Sequence, residues 1–194
     1  MKKIFAVLIA LSLVFCLCGC SKDNDDTLKT EHTVDVEYYA KLGKIKECEY
    51  QLHSSANDMK EAFDKIDEEN AENEDEYGHT HSVYSLMELD EYSLLAYDNA
   101  NYYYEDTSDD EVFAIVALDT AYDFPIGTLN VEVKSALSKF EAEEKQGNEE
   151  IIFFMANPEK YTYIDYQFGN NTVAFIFENN ALCATLLADS SILK

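Results

Sequence analysis

Slid along itself by 74 residues, this chain meets a second copy of its own pattern. Leu52 falls on Ile126, Ser54 on Thr128, Asp58 on Glu132, Met59 on Val133 and Lys60 on Lys134. Ala62 falls on Ala136, Phe63 on Leu137, Lys65 on Lys139 and Ile66 on Phe140, without a gap from Leu52 to Asn70. Both stretches read as amphipathic helices. Met59, Ala62, Phe63 and Ile66 stand at i, i+3, i+4, i+7, and so do Val133, Ala136, Leu137 and Phe140, the spacing of one helix face. Ser54 or Ser55, and Thr128 or Asn130, offer N-cap oxygens. Asp58 and Glu132 then place an acid in each first turn, where the helix dipole favours it.

Strand patterns follow each helix. The first set is Val83–Leu89, Tyr92–Tyr97, Ala100–Glu105 and Val112–Leu118. The second is Ile151–Ala156, Tyr161–Phe168, Thr172–Glu178 and Leu182–Ala188. Turn-forming residues separate them, among them Asp98-Asn99, Asn157-Pro158, Gly169-Asn170-Asn171 and Asn179-Asn180. A helix followed by strands, twice over, predicts an α+β fold. We expect two tandem repeats, each one helix and an antiparallel four-stranded meander, with the meanders joining into one curved sheet. Ahead of the first repeat, residues 35–51 read two ways. Tyr39, Leu42 and Gly43 suggest a short helix, and the alternation of Cys48, Tyr50 and Leu52 suggests an extended entry.

The N-terminus carries an address. A basic start at Lys2 and Lys3 precedes an apolar run from Ile4 to Leu17, and the polar Ser21-Lys22-Asp23 follows Cys20. That is the layout of an export signal, and the run is shorter than the roughly 20 residues of a spanning helix. Leu17-Cys18-Gly19-Cys20 resembles the bacterial lipobox. The resemblance implies cleavage before Cys20 and lipid attachment to its thiol, so we expect a protein anchored on the extracytoplasmic side of a bacterial cell membrane. The division is then signal peptide 1–19, polar tether 20–34, first repeat with an N-terminal extension 35–123, and second repeat 124–194. Asp23, Asp25 and Asp26 in the tether do not open a calcium loop. The positions that should hold its Gly and Glu hold Leu28 and Val34.

Charge excludes whole classes. The formal net charge is −25, and every basic residue apart from the histidines is Lys. Nucleic acid and flat contact with an anionic membrane both require a basic patch. At 47% hydrophobic and 13% aromatic, the chain still has ample material for a packed core, so it is not a disordered acidic segment. After cleavage only Cys48 and Cys183 remain unmodified. They can form one bridge or stay as two buried thiols.

Ile126-Gly127-Thr128-Leu129-Asn130-Val131-Glu132-Val133, opening a helix that leads into a meander, is similar to the SmpA/OmlA-type lipoprotein module. Tandem copies at about this period resemble the β-lactamase inhibitor protein type module, and the resemblance covers most of Leu52–Asp189. It implies two modules side by side, helices behind and an open sheet face that binds another protein.

Catalytic patterns are missing. The chain has no Gly-x-Ser-x-Gly or His-Glu-x-x-His and no glycine-rich phosphate loop, and Ser191-Ile192-Leu193-Lys194 spells Ser-x-x-Lys without the Ser-Asp-Asn and Lys-Thr-Gly that accompany it in the β-lactamase and penicillin-binding type. We therefore expect a non-enzymatic protein-binding module, without a cofactor, whose partner is another extracellular or envelope protein. Alternation puts Tyr161, Tyr163 and Asp165 on one strand face, and Thr162, Ile164, Tyr166 and Phe168 on the other. The first set, with Tyr103, is the candidate contact surface, because tyrosine offers apolar area and a hydroxyl at low entropic cost. Two rival readings stand beside it. One is a hydrolase using acids that the sequence does not single out. The other is a metal or small-ligand sensor at His79 and His81, which share a face if extended.

Overall fold

In a computed structural model, which describes residues 35–70, 82–89, 91–105 and 110–193, the chain is a mixed α+β fold with three helices and one open, antiparallel eight-stranded sheet. Residues 35–41 form helix α1, and a turn at Gly43 (φ +71°) ends it. Helix α2 (Ala56–Asn70) leads into β1 (Tyr84–Glu88), β2 (Ser93–Tyr97), β3 (Ala100–Tyr104) and β4 (Val112–Ala117). Helix α3 (Asn130–Ala136) leads into β5 (Glu144–Gln146), β6 (Thr162–Phe168), β7 (Asn171–Glu178) and β8 (Ala181–Asp189). The strand order is β1-β2-β3-β4-β8-β7-β6-β5. Each group of four is a meander, and the groups meet where Ala114–Ala117 of β4 pair with Thr185–Ala188 of β8.

Local chemistry sets the helix starts. Ser55 caps α2, its Oγ accepting the Asp58 amide at 3.1 Å. The Asp110 carboxylate accepts from the Asn57 amide at 2.6 Å and the Ser55 hydroxyl at 3.2 Å, so a negative charge sits on the positive end of the helix. At α3 neither Thr128 nor Asn130 caps. The Thr128 hydroxyl turns back to the Pro125 carbonyl, and the Glu132 carboxylate accepts the Leu129 amide at 2.9 Å. Helix α3 also stops at Ala136 rather than running to Phe140. The chain must double back so that Glu144 can take hydrogen bonds from Asn130 and Lys134.

The helices cover one sheet face. Met59, Phe63, Val133 and Leu137 are buried there with Leu95, Tyr102, Ile115, Phe175 and Leu187, while Ile66 and Phe140 pack partly buried against them. Phe63 centres this core. Its ring stacks on Tyr97 with centroids 4.2 Å apart and meets Tyr50 edge-on at 5.5 Å. Ile164, Tyr166 and Phe168 face this side, as their alternation predicts.

The other face is covered as well, and this corrects the sequence reading. Ile151–Ala156 is not a strand, and the first strand of the second meander is Glu144–Gln146. Residues 147–161 instead form a strap across the second face. Ile151 and Ile152 are buried in it with Tyr103, Ala114, Val116, Tyr163, Ala174, Ile176 and Leu186, and Phe153, Phe154 and Met155 pack on the same cluster. An unbroken apolar run has no polar side to give to water and buries whole, and it can do so as a central strand, as Val112–Ala117 does, or as a segment laid on the sheet face, as here.

Emptying the helix-side core should be expensive. Phe63→Ala is expected to cost about 3–5 kcal/mol and Leu137→Ala about 2–5 kcal/mol, read from urea unfolding midpoints at unchanged slope. Acid should act through Glu144, whose pKa is lowered first by the Lys134 hydrogen bond and then by Thr162. A carboxylate depressed in the folded state contributes stability that is complete above its unfolded pKa and fades as pH falls through the folded value. Glu144→Gln should therefore flatten the acid limb of a stability–pH curve and leave its neutral-to-alkaline shape alone.

Candidate functional site

The residues singled out from sequence lie mostly under the strap. Tyr163 is 4% exposed and Tyr103 is 3% exposed, so neither belongs to an open surface. The Tyr163 hydroxyl accepts a 3.4 Å hydrogen bond from the Asn148 side chain. Asp165 is paired with Lys145 at 2.8 Å. Tyr161 is half-buried, and its carbonyl accepts from the Gly147 amide at 2.9 Å and the Gln146 side chain at 2.8 Å. Tyr161 closes the strap and Tyr163 is its floor in β6, both packed in the strap-side cluster, while Asp165 is held by Lys145 of β5. Cys20, His79 and His81 lie outside the described residues.

Two folding details hold the strap. The Asn148 side-chain oxygen accepts the amides of Glu150 and Ile151 at 3.1 and 3.0 Å, starting a tight turn. At its base, a Cβ on Gly147 would sit 2.2 Å from the Pro158 carbonyl oxygen and 2.8 Å from Ile152, so only glycine fits.

Where the strap reaches β2–β4 it builds an aromatic cluster that the sequence reading missed. Phe153 meets Tyr103 at 5.2 Å and Tyr92 at 5.5 Å, both edge-on, and the Tyr92 hydroxyl donates to the Phe153 carbonyl at 3.4 Å. Burial pushes the Tyr103 hydroxyl up to about 12, so it stays neutral. Beside this cluster is a hollow of 290 Å³ lined by Tyr92, Phe113, Phe153, Ile192 and Leu193, with Glu91, Glu105, Glu149 and Glu150 also on its wall.

The apolar surface continues onto the sheet margin. Register places Met87 opposite Leu94 and Leu94 opposite Tyr103, so all three share the strap side. The Leu89 amide donates to the Tyr92 carbonyl at 2.9 Å, which carries the pairing one step further and sets Leu89 beside Tyr92. Met87 is 55% exposed and Leu89 41%. The sequence holds no Lys or Arg between Lys65 and Lys134, while acids recur throughout that stretch. All four strands of the first meander are therefore without a permanent cation.

A second hollow of 420 Å³ lies between the segment after α1 and the ends of β2–β4. Glu47, Glu49, Asp98 and Asp119 line it, with Cys48 and Tyr102. Glu47 is engaged there, accepting the Tyr122 and Asp123 amides at 2.6 and 2.8 Å. Burial raises the Cys48 thiol to about 12 and the Cys183 thiol to about 11, so neither supplies a thiolate nucleophile at neutral pH. Both are free. Cys48 is in the helix-side core and Cys183 packs on the strap side, so the sheet itself separates them. Among the described residues no three His, Cys, Asp or Glu side chains are grouped to hold a metal, and no helix is long and apolar enough to cross a membrane.

The fold and site define an α+β protein with an acidic, partly apolar sheet margin. No protein-family model matches the chain, and no curated protein matches it. Among solved structures it is similar to a DUF4309 family protein, YjgB, from Bacillus subtilis, at 12% identity over 82% of this chain and 96% of that one, with a TM-score of 0.43. A similarity of that size assigns neither fold nor function.

The strap's grip on the second face should fail with its base. Gly147→Ala is expected to speed amide exchange across residues 147–161, read peptide by peptide by mass spectrometry, while exchange in α2 stays at the wild-type rate.

Proposed function

We propose that this protein is a lipid-anchored, extracytoplasmic protein-binding module without catalytic activity of its own. The anchor reading rests on the export-signal layout and on Cys20 behind Leu17-Cys18-Gly19. The binding reading rests on one observation: Met87 and Leu89 lie exposed beside the Tyr92–Tyr103–Phe153 cluster, in a half of the sheet that has acids and no Lys or Arg. Exposed apolar side chains rimmed by one sign of charge suit a protein partner of the opposite sign. The contact surface is thus the β1–β2 margin, with Tyr103 as its buried floor, rather than Tyr161, Tyr163 and Asp165.

The finer architecture belongs to the same proposal: the chain is a tandem duplication. Its support is hydrogen bonding that recurs with the 74-residue offset of the helices. The His53 amide donates to the Val112 carbonyl, and the Gly127 amide to Leu182. Val112 donates back to Ser54, and Leu182 to Thr128. Ala56 donates to Asp110, and Asn130 to Asn180. His53 and Gly127 even share a positive φ, at 65° and 93°.

The test uses the full chain as bait in an envelope extract, with its N-terminus read by mass spectrometry. Processing to a lipid-modified Cys20 is expected, and an intact Met1 would overturn the anchor. Met87→Lys and Leu89→Lys should each lower recovery of the captured protein by about tenfold, since a like charge now faces a basic partner. Val131→Lys, at an exposed position on α3, should leave recovery unchanged. Equal recovery with all three variants would refute the surface.

A further inference from the structure

The two ends of the sheet are finished differently. At one end β5 is only three residues long, with Lys145 tied to Asp165 and the Gln146 side chain bonded to the Glu159 and Tyr161 carbonyls. A short, charged, side-chain-bonded edge does not accept another strand. At the other end β1 runs five residues, and neither Lys, Pro nor a register shift interrupts it. Four of those five residues are exposed, Leu86 at 47% and Met87 at 55% among them.

The hydrogen-bonding phase of this edge follows from the pairing. Leu89 bonds to Tyr92, and antiparallel pairs alternate between bonded and non-bonded. Met87 and Ser85 therefore turn their backbone groups inward to β2, and Leu86 and Glu88 turn theirs outward. The side chains then define two different lanes beside the edge. On the strap side an added residue would lie against Met87 and Leu89. On the helix side it would meet Leu86, which register sets opposite the helix-side Leu95, and Glu88, with the α2 carboxylates Asp64 and Asp67 nearby, which already accept from Tyr84 and from Ser82 and Val83.

We propose that β1 takes an extended segment of a partner protein as a ninth strand, and that this segment alternates apolar residues on the strap side with Lys or Arg on the helix side. The inference rests on the protein-binding reading above and deepens it by naming the binding mode and the partner's pattern. Main-chain hydrogen bonds would give affinity and the alternate side chains selectivity. Charge decides against a second copy of this chain as the occupant. Pairing two β1 strands would bring together two meanders that each lack Lys and Arg, and like charges across an interface are costly.

The probe is a capped seven-residue peptide alternating lysine and valine, added to the full chain in detergent. Hydrogen exchange should slow at the amides of Leu86 and Glu88, and added salt should weaken binding. Two N-methylated versions of the peptide decide the mode. Methylating the amides on one edge should weaken binding by about tenfold or more, since several hydrogen bonds are lost. Methylating the alternate set should leave it within about twofold. Leu86→Pro, which removes an outward N–H where an edge tolerates proline, should match the first version. Equal binding by both methylated peptides, or binding without protection of Leu86 and Glu88, would overturn strand addition while leaving surface docking intact. No binding of the unmethylated peptide would overturn it too. So would β1 protection that rises with protein concentration in the absence of peptide, since that marks a second copy. Protection of Leu86 and Glu88 that persists in Met87→Lys and Leu89→Lys would instead sink the surface reading alone.

Discussion

The seam between β4 and β8 is the contact on which the other parts depend. Ala114, Ile115, Val116 and Ala117 pair with Ala188, Leu187, Leu186 and Thr185, and all eight residues are buried. The large aliphatic pairs Ile115–Leu187 and Val116–Leu186 point to opposite faces, each beside a pair of smaller residues, so both faces of the seam can be packed. Without it each meander would have a bare central edge. Joined, the two make a sheet wide enough to need covering on both sides, and the helices supply only one cover. The strap is the answer to the second.

Burial of both faces explains how the molecule carries so much aromatic and apolar material under a strongly negative surface. Rings are gathered into two sets, one around Phe63 behind the sheet and one around Phe153 in front of it. The described lysines are spent mainly in local pairs such as Lys134–Glu144, Lys145–Asp165 and Lys46 with Asp35 and Asp123. These partnerships fall in the N-terminal segment and the second meander. The strands of the first meander bring no Lys of their own, and Lys60 of α2, 4.8 Å from the Tyr104 ring, is a cation laid against them from outside the sheet.

Seven of the eight strands were legible from sequence because turn residues bound their apolar and aromatic runs, with alternation added in β6. β6 is the clearest case, since Ile164, Tyr166 and Phe168 do lie beneath the helices. The strap reads as a strand because Ile151–Met155 is an unbroken apolar run like the central strand Val112–Ala117, and local pattern does not separate a run buried within a sheet from one buried on its face. That single error displaced the candidate site. With the strap unseen, Tyr163 and Tyr103 looked like an exposed face, whereas they are its floor. The β1–β2 margin was illegible for a different reason. It depends on which strand ends up outermost, and pairing order is a property of the whole sheet rather than of any local pattern. The absence of Lys and Arg from Ile66 to Val133 was visible all along, but it acquired meaning only once those residues formed one half of a sheet.

Strand order also has a temporal side. β8 comes after every other strand in the chain, yet it lies in the middle of the sheet, between β4 and β7. During synthesis the first meander is complete some 60 residues before its neighbour exists. For that interval β4 has one free margin, and closing it requires contacts far apart along the chain, which form slowly. Nascent molecules therefore pass through a stage at which their most apolar strand is open to any passing chain, and assembly ends at the centre rather than at the rim.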